Sequence, residues 1–154
     1  MSRPAAEEPR RRPSPPAALA GLVGGGGMRR IFVDGLGVSV PMPSSVRRLV
    51  VTDDVVGAFL VELGGTLAGC AGTLDGIESV GPARAPDPRL VAALKPDLIL
   101  SGCADGAHDL ADEQLVVALW RIAPVIAVDL GRRVAAAADM RALLGLTAGP
   151  RASR

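Results

Sequence analysis

Three constellations in this 154-residue chain carry residue types that could do chemistry. Asp53-Asp54 sets two carboxylates side by side, which suits general acid–base work or contact with a cationic ligand group. Capping of a following helix is the plainer use of the same residues. Ser101-Gly102-Cys103 offers two nucleophile types two residues apart, followed by the sole histidine, His108. A hydrolase elbow needs G-x-S-x-G, whereas the residues here read Ile99-Leu100-Ser101-Gly102-Cys103. Any triad would depend on tertiary placement of His108, and the ordinary expectation for that residue is an exposed loop or helix start. His108, Cys103 and Asp105 could touch a metal, yet their spacing follows no strong ligand pattern. Arg84, in the loop after Gly81, is the better candidate for an anion; Arg47-Arg48 precedes a strand and reads as solvated.

The glycine-rich stretches exclude two phosphate-binding classes. Gly24–Gly27 is followed by Met28-Arg29 rather than Gly-Lys-Ser/Thr. Gly35-Leu36-Gly37 lacks the third glycine of a dinucleotide fingerprint and lies in a hairpin rather than at a strand-to-helix turn.

The elements that must hold these residues read cleanly from spacing. Ile31–Val33 and Val38–Val40 form a hairpin around Asp34–Gly37, ended by Pro41 and Pro43. Leu49–Thr52 is a short buried strand. Asp53 or Asp54 caps a helix to about Leu63, which Gly64-Gly65 ends. Thr66–Cys70 is a second strand. Asp87 caps a helix over residues 88–94 with Pro88 at its first position. Lys95-Pro96 stops that helix, because the residue before proline is pushed out of the α region. Residues 97–101 form a strand, 109–122 a helix, 125–128 a strand and 134–144 a helix that Gly145 ends. Short buried strands alternating with helices predict an α/β fold: a doubly wound, mainly parallel sheet with helices on both faces, preceded by an N-terminal β-hairpin. Ligands of such sheets meet the C-terminal strand ends. Those ends are Thr52-Asp53, Gly69-Cys70-Ala71, Ser101-Gly102-Cys103 and Asp129, with the Arg84 loop beside them.

Composition narrows the partners. There are 17 basic and 16 acidic residues, a net charge of +1, so no general nucleic-acid or anionic-membrane binder is indicated. Phe32, Phe59 and Trp120 are the only aromatics, which leaves few platforms for stacking bases and puts Trp120 in the core. The apolar fraction is 49%, enough for one domain, and no apolar run reaches the length of a membrane span. Cys70 and Cys103 form no C-x-x-C pair, and the strand order keeps them apart. Residues 1–27 read as a disordered tail or a degenerate secretory signal, with Arg10–Arg12 before the apolar Ala17–Val23. The folded unit is expected over 28–147, with a disordered tail at 148–154.

With the elements in order, residues 31–147 resemble the N-terminal lobe of the periplasmic substrate-binding proteins of ABC importers for iron–siderophore, haem and cobalamin ligands. The resemblance rests on Asp34, Gly37, Val40-Pro41, Pro43 and Arg47 in the hairpin. It continues through Glu62-Leu63-Gly64, Val80-Gly81, Leu94-Lys95-Pro96-Asp97-Leu98, and Ile122 to Asp129. It implies a single lobe of a normally two-lobed fold, non-enzymatic and without a cofactor. The ligand would be a ferric siderophore or similar chelate, with haem and cobalamin as further possibilities. The implied ligand-binding residues are Thr52, Asp53, Cys70, Ala71, Arg84, Ser101, Gly102 and Asp129, with no protein metal ligand. An ABC permease is the implied partner, docking near Asp87 and Arg89; the family often carries Glu where Arg89 stands. The implied location is the cell envelope, outside the cytoplasm. A second-lobe chain or a second copy would complete the cleft. Two alternatives stand beside this: a truncated relative that binds nothing, and a cytoplasmic doubly wound domain with nucleotide-binding or enzymatic activity.

Overall fold

The computed structural model describes residues 30–146; the readings for the 1–27 tail and the 148–154 tail lie outside them. A period of two builds the first unit. Phe32, Val40 and Met42 turn inward while Ile31, Val33 and Ser39 face out, and β1 (Arg30–Val33) pairs antiparallel with β2 (Ser39–Met42). Pro41 does not end this hairpin as expected. It sits inside β2 opposite Ile31, which an edge strand tolerates because the missing N–H need not enter a ladder.

The main sheet uses continuous apolar runs. In chain order the elements are β3 (Leu49–Val51), α1 (Asp54–Glu62), β4 (Gly69–Cys70), α2 (Pro88–Ala93), β5 (Leu98–Ala104), β6 (Ala107–His108), α3 (Glu113–Trp120), β7 (Val125–Val128) and α4 (Arg133–Leu144). The parallel order is β4-β3-β5-β7, and β6 adds an antiparallel strand to the far end of β5. All residues of β3, β4 and β7 are buried, as parallel strands covered on both faces require. A Cβ on Gly57 of α1 would meet Val51 and Cys70, whereas one on Gly69 would meet Leu94 and Val80. So α1 and α2 cover opposite faces. The Arg133 guanidinium of α4 lies 4.9 Å over the Phe59 ring of α1, which puts α4 on the α1 side. The expected doubly wound architecture is therefore what forms. Val50, Leu60, Val91, Ile99, Leu119 and Ile126 lie in its core, and Trp120 is buried there too.

The capping residues act as their types dictate. Asp53 accepts the Val55 amide at 2.8 Å and Asp87 accepts that of Arg89 at 2.9 Å. Lys95 ends α2 in the left-handed region, at φ 52°, outside the right-handed α region as expected of the residue before proline. Its amide still reaches Ala92 O at 3.0 Å, so the chain closes the helix before Pro96 releases it. The expected 66–70 strand shortens to Gly69–Cys70, because Gly65 stays bonded to Leu60 O at the helix end. The 109–122 helix begins only at Glu113, capped by Asp112, because Asp109, Leu110 and Ala111 donate back to Gly102, His108 and Arg84. The largest departure follows Ser101. What reads as loop is a continuation of β5 to Ala104, a two-residue turn at Asp105-Gly106 with φ 54° and 77°, and a return through β6. Two positive φ values in succession are the primed hairpin turn that Asp-Gly favours.

Candidate functional site

The C-terminal ends of the parallel strands form a face held by backbone bonds. The Thr52 amide reaches Leu100 O at 2.9 Å, and the Ala71 amide reaches Val51 O at 2.9 Å. The Arg84 amide closes on Thr52 O at 2.6 Å, which draws the β4–α2 loop over the end of β3. Arg84 is held at φ 65°, a sparsely populated conformation for a non-glycine residue. Its carbonyl accepts the Ala111 amide at 2.8 Å, and its guanidinium stands 3.9 Å from the Asp109 carboxylate. With side-chain exposures of 55% and 37%, that pair sits at the rim, where water screens it.

The expected site residues separate into two layers. Asp53 and Asp129 are half-buried and Arg84 is exposed, so these three present charge at the surface. Thr52, Cys70, Ala71, Ser101 and Gly102 are buried beneath them. The two neighbouring carboxylates divide their work: Asp53 caps α1, and Asp54 accepts the Thr73 amide at 3.2 Å, bracing the loop after β4. Asp129 likewise accepts the Gly131 amide at 2.9 Å and starts the short turn before α4. Asp87 and Arg89 stand apart from this group at the start of α2, 3.9 Å from one another.

Burial decides what the nucleophile types can do. The Cys70 thiol donates to Ala71 O at 3.2 Å, and burial, reinforced by Asp54 and Asp53, pushes it up to about 11. Burial also raises the half-buried Cys103 thiol, with Asp129, Asp34 and Asp109 adding to the effect. Neither offers a thiolate near neutral pH. His108 is not the exposed loop residue expected. It is half-buried on β6, and its Nδ1 lies 2.5 Å from the buried Ser101 Oγ. Burial lowers its affinity for a proton, opposed by the Asp34 carboxylate. Ser101 is fully enclosed, so no substrate carbonyl can approach its hydroxyl. No group of His, Cys, Asp and Glu side chains among the described residues could hold a metal ion. The signal for His108 was present in the chain, since Asp105-Gly106 is a hairpin dipeptide that brings it back beside β5.

Next to the strand ends a cleft of about 420 Å³ opens between the hairpin and α4. Phe32, Leu36 and Met140 line it, with Asp129, Arg132 and Asp139 among the charged residues. A wider hollow of about 640 Å³ lies at Val61, Leu67 and Leu74, beside the C-terminal end of α1. No helix among the described residues is long and apolar enough to cross a membrane.

No family model matches the chain, and no curated protein matches its sequence. Solved structures do match. Holo-ViuP aligns with 75% of this chain and 44% of its own, at a TM-score of 0.63 and 23% identity. DesE, a ferric-siderophore receptor protein from Streptomyces coelicolor, aligns over 76% of this chain and 47% of its own, with TM-score 0.64 and 18% identity. Staphylococcus aureus SirA, complexed with staphyloferrin B, gives 75%, 42%, a TM-score of 0.60 and 21% identity. The chain has the fold of one lobe of these proteins. The resemblance read from the motifs is thus matched in three dimensions, and the chain spans under half the length of the three structures. At these identities the likeness is one of fold.

Proposed function

We propose that this chain supplies one wall of a binding site for a ferric siderophore or related metal chelate, as the substrate-binding component of an ABC importer. The observation that carries the reading is the fold shared with DesE and SirA, joined to a strand-end face that presents Arg84, Asp53 and Asp129. In this reading Arg84 meets an anionic group of the chelate, and Asp53 and Asp129 meet its donor hydroxyls or amines. Thr52, Cys70, Ala71, Ser101 and Gly102 set the depth of the wall from beneath. Such a site performs no reaction; it holds a preassembled chelate. Enclosure of a chelate calls for a second wall, from a second lobe or a second copy. Delivery would be to a permease, with Asp87 and Arg89 at the docking edge, outside the cytoplasm.

The test uses equilibrium dialysis of the purified chain against a ferric hydroxamate, a ferric catecholate, a ferric citrate-type chelate, haem and cobalamin, each followed by its own absorbance. Trp120 is only 8% exposed and lies at the end of α3, so its fluorescence is a poor reporter. Saturable binding of at least one chelate is expected. Arg84→Ala should weaken an anionic chelate about tenfold, the effect of losing one charge-assisted hydrogen bond. Absence of saturable binding with all five sinks the reading and favours a lobe that keeps the fold without the ligand.

A further inference from the structure

Beneath the strand-end face, Thr52 and Ser101, which the binding reading treats only as the floor of the wall, join His108 in a polar seam. Val51 pairs with Leu100 across the parallel β3–β5 ladder, so Thr52 stands beside Ser101, one residue further along both strands. Side chains of adjacent parallel strands at equal register share a face. Thr52 and Ser101 are both fully buried. Ser101 Oγ lies 2.5 Å from His108 Nδ1, while Thr52 Oγ1 has no hydrogen-bond partner among the described residues. Buried hydroxyls left unpaired are uncommon and costly, and this one sits next to the only side-chain hydrogen bond made by a titratable ring.

We propose that Thr52, Ser101 and His108 form a proton-responsive relay under the strand-end face, in which Thr52 Oγ1 is the acceptor held in reserve for the charged state of His108. With the ring neutral and its proton on Nε2, the Ser101 hydroxyl donates to Nδ1. When one solvent proton arrives at Nδ1, the new N–H donates to Ser101 Oγ instead. The Ser101 hydroxyl must then turn, and a change of the Thr52 side-chain rotamer brings Thr52 Oγ1, which Ser101 does not bond in the neutral state, into reach as its acceptor. No bond between heavy atoms breaks, and the one added proton stays on the ring.

The surrounding charges act on this step in known directions. Asp34, from the turn between β1 and β2, favours the charged ring, and burial opposes it. Cys103 is the cross-strand partner of His108 on β5, and burial together with Asp129, Asp34 and Asp109 keeps its thiol uncharged near neutral pH. Asp109 follows His108 directly and is paired with Arg84 of the β4–α2 loop at 3.9 Å. The Asp109 amide is fixed to Gly102 O at 2.9 Å. A change at the ring thereby reaches the residue whose carboxylate lies 3.9 Å from the exposed Arg84 guanidinium.

One histidine in the chain makes the test unambiguous. Ring nitrogen and carbon resonances of the full chain are followed by NMR between about pH 8.5 and 4.5, a window of roughly two units on either side of an ordinary imidazole. The relay predicts Nε2 protonation in the neutral form, and an Arg84 amide that shifts with the same midpoint as the ring. Thr52→Val should lower that midpoint further, by about half to one pH unit, since the charged state loses one ordinary hydrogen bond. Thr52→Ser should restore it. A neutral ring protonated on Nδ1 overturns the proposal in the wild-type chain alone. So does an unchanged midpoint in Thr52→Val. Because no chelate is present, these outcomes are independent of whether the face binds one.

Discussion

The Asp34 carboxylate accepts the Ala127 amide at 3.0 Å, and this bond fastens the N-terminal hairpin to the outer edge of β7. The same carboxylate accepts the amides of Leu36 and Val38, both at 3.0 Å. Gly35 adds a bond from its own amide to Ala127 O at 2.8 Å. That approach leaves no room for a side chain, as a Cβ on Gly35 would lie 3.0 Å from Ala127 O and Asp129 N. One buried acid therefore closes a turn, covers a sheet edge that would otherwise invite pairing, and sets one wall of the cleft beside α4.

Removing that acid should loosen all three connections. Asp34→Ala is expected to lower the unfolding free energy by about 3 kcal/mol, because buried backbone donors lose a charged acceptor. Urea denaturation followed by circular dichroism measures the loss. A change below about 1 kcal/mol would mean that water replaces the carboxylate at little cost.

Stability should depend on pH through His108. Burial holds its folded-state proton affinity below the ordinary 6.5, so between that folded value and 6.5 the unfolded chain binds the extra proton. Stability is therefore full above pH 6.5, falls as pH drops below it, and levels off beneath the folded value. The urea midpoint of wild type should decline over this window more steeply than that of His108→Gln. Parallel profiles for the two proteins would remove His108 as the cause.

The two thiols should differ in reactivity. Cys70 is 1% exposed and its thiol is raised to about 11, whereas Cys103 is half-buried. Iodoacetamide at pH 8 is expected to alkylate Cys103 slowly in the native protein and Cys70 only after unfolding. Mass spectrometry of the digested protein reads both sites. Native-state labelling of Cys70 ahead of Cys103 would contradict the burial described.

The Asp105-Gly106 turn offers a backbone test. Gly106 sits at φ 77° with open space where a Cβ would be, so Gly106→Ala should cost about 1 kcal/mol through strain alone. The His108 ring should stay beside Ser101 if the hairpin survives. A neutral or stabilising effect on thermal unfolding would argue against the primed turn.

Local chemistry made much of this legible. Asp53, Asp87 and Pro88 mark helix starts because a carboxylate or a proline ring acts within its own turn. Leu98–Leu100 and Val125–Val128 mark parallel strands because short apolar runs bounded by Pro96, Gly102 and Pro124 suit burial on both faces. The strand order keeping Cys70 from Cys103 was also readable, and β3 does lie between β4 and β5.

What stayed hidden depends on partners distant in the chain. Asp97 reads as part of a helix-stop-strand motif, yet its carboxylate accepts the amides of Arg47 and Arg48 at 3.0 Å across the sheet. Asp34 reads as a turn residue, and its bond to Ala127 cannot be seen from spacing. His108 reads as exposed because Asp105-Gly106 signals a turn without saying which side chains it buries; only the return of β6 along β5 brings the ring to Ser101. The chain by itself determined the buried centres of the parallel strands, the approximate extents of the helices and the caps at Asp53 and Asp87, since each follows from residues within a few positions of one another. Tertiary structure alone decided which polar groups at the strand ends remain open to solvent and which are closed beneath them. Burial and pairing are properties of neighbours in space, and Thr52, Ser101 and His108 acquire theirs only when the sheet is assembled.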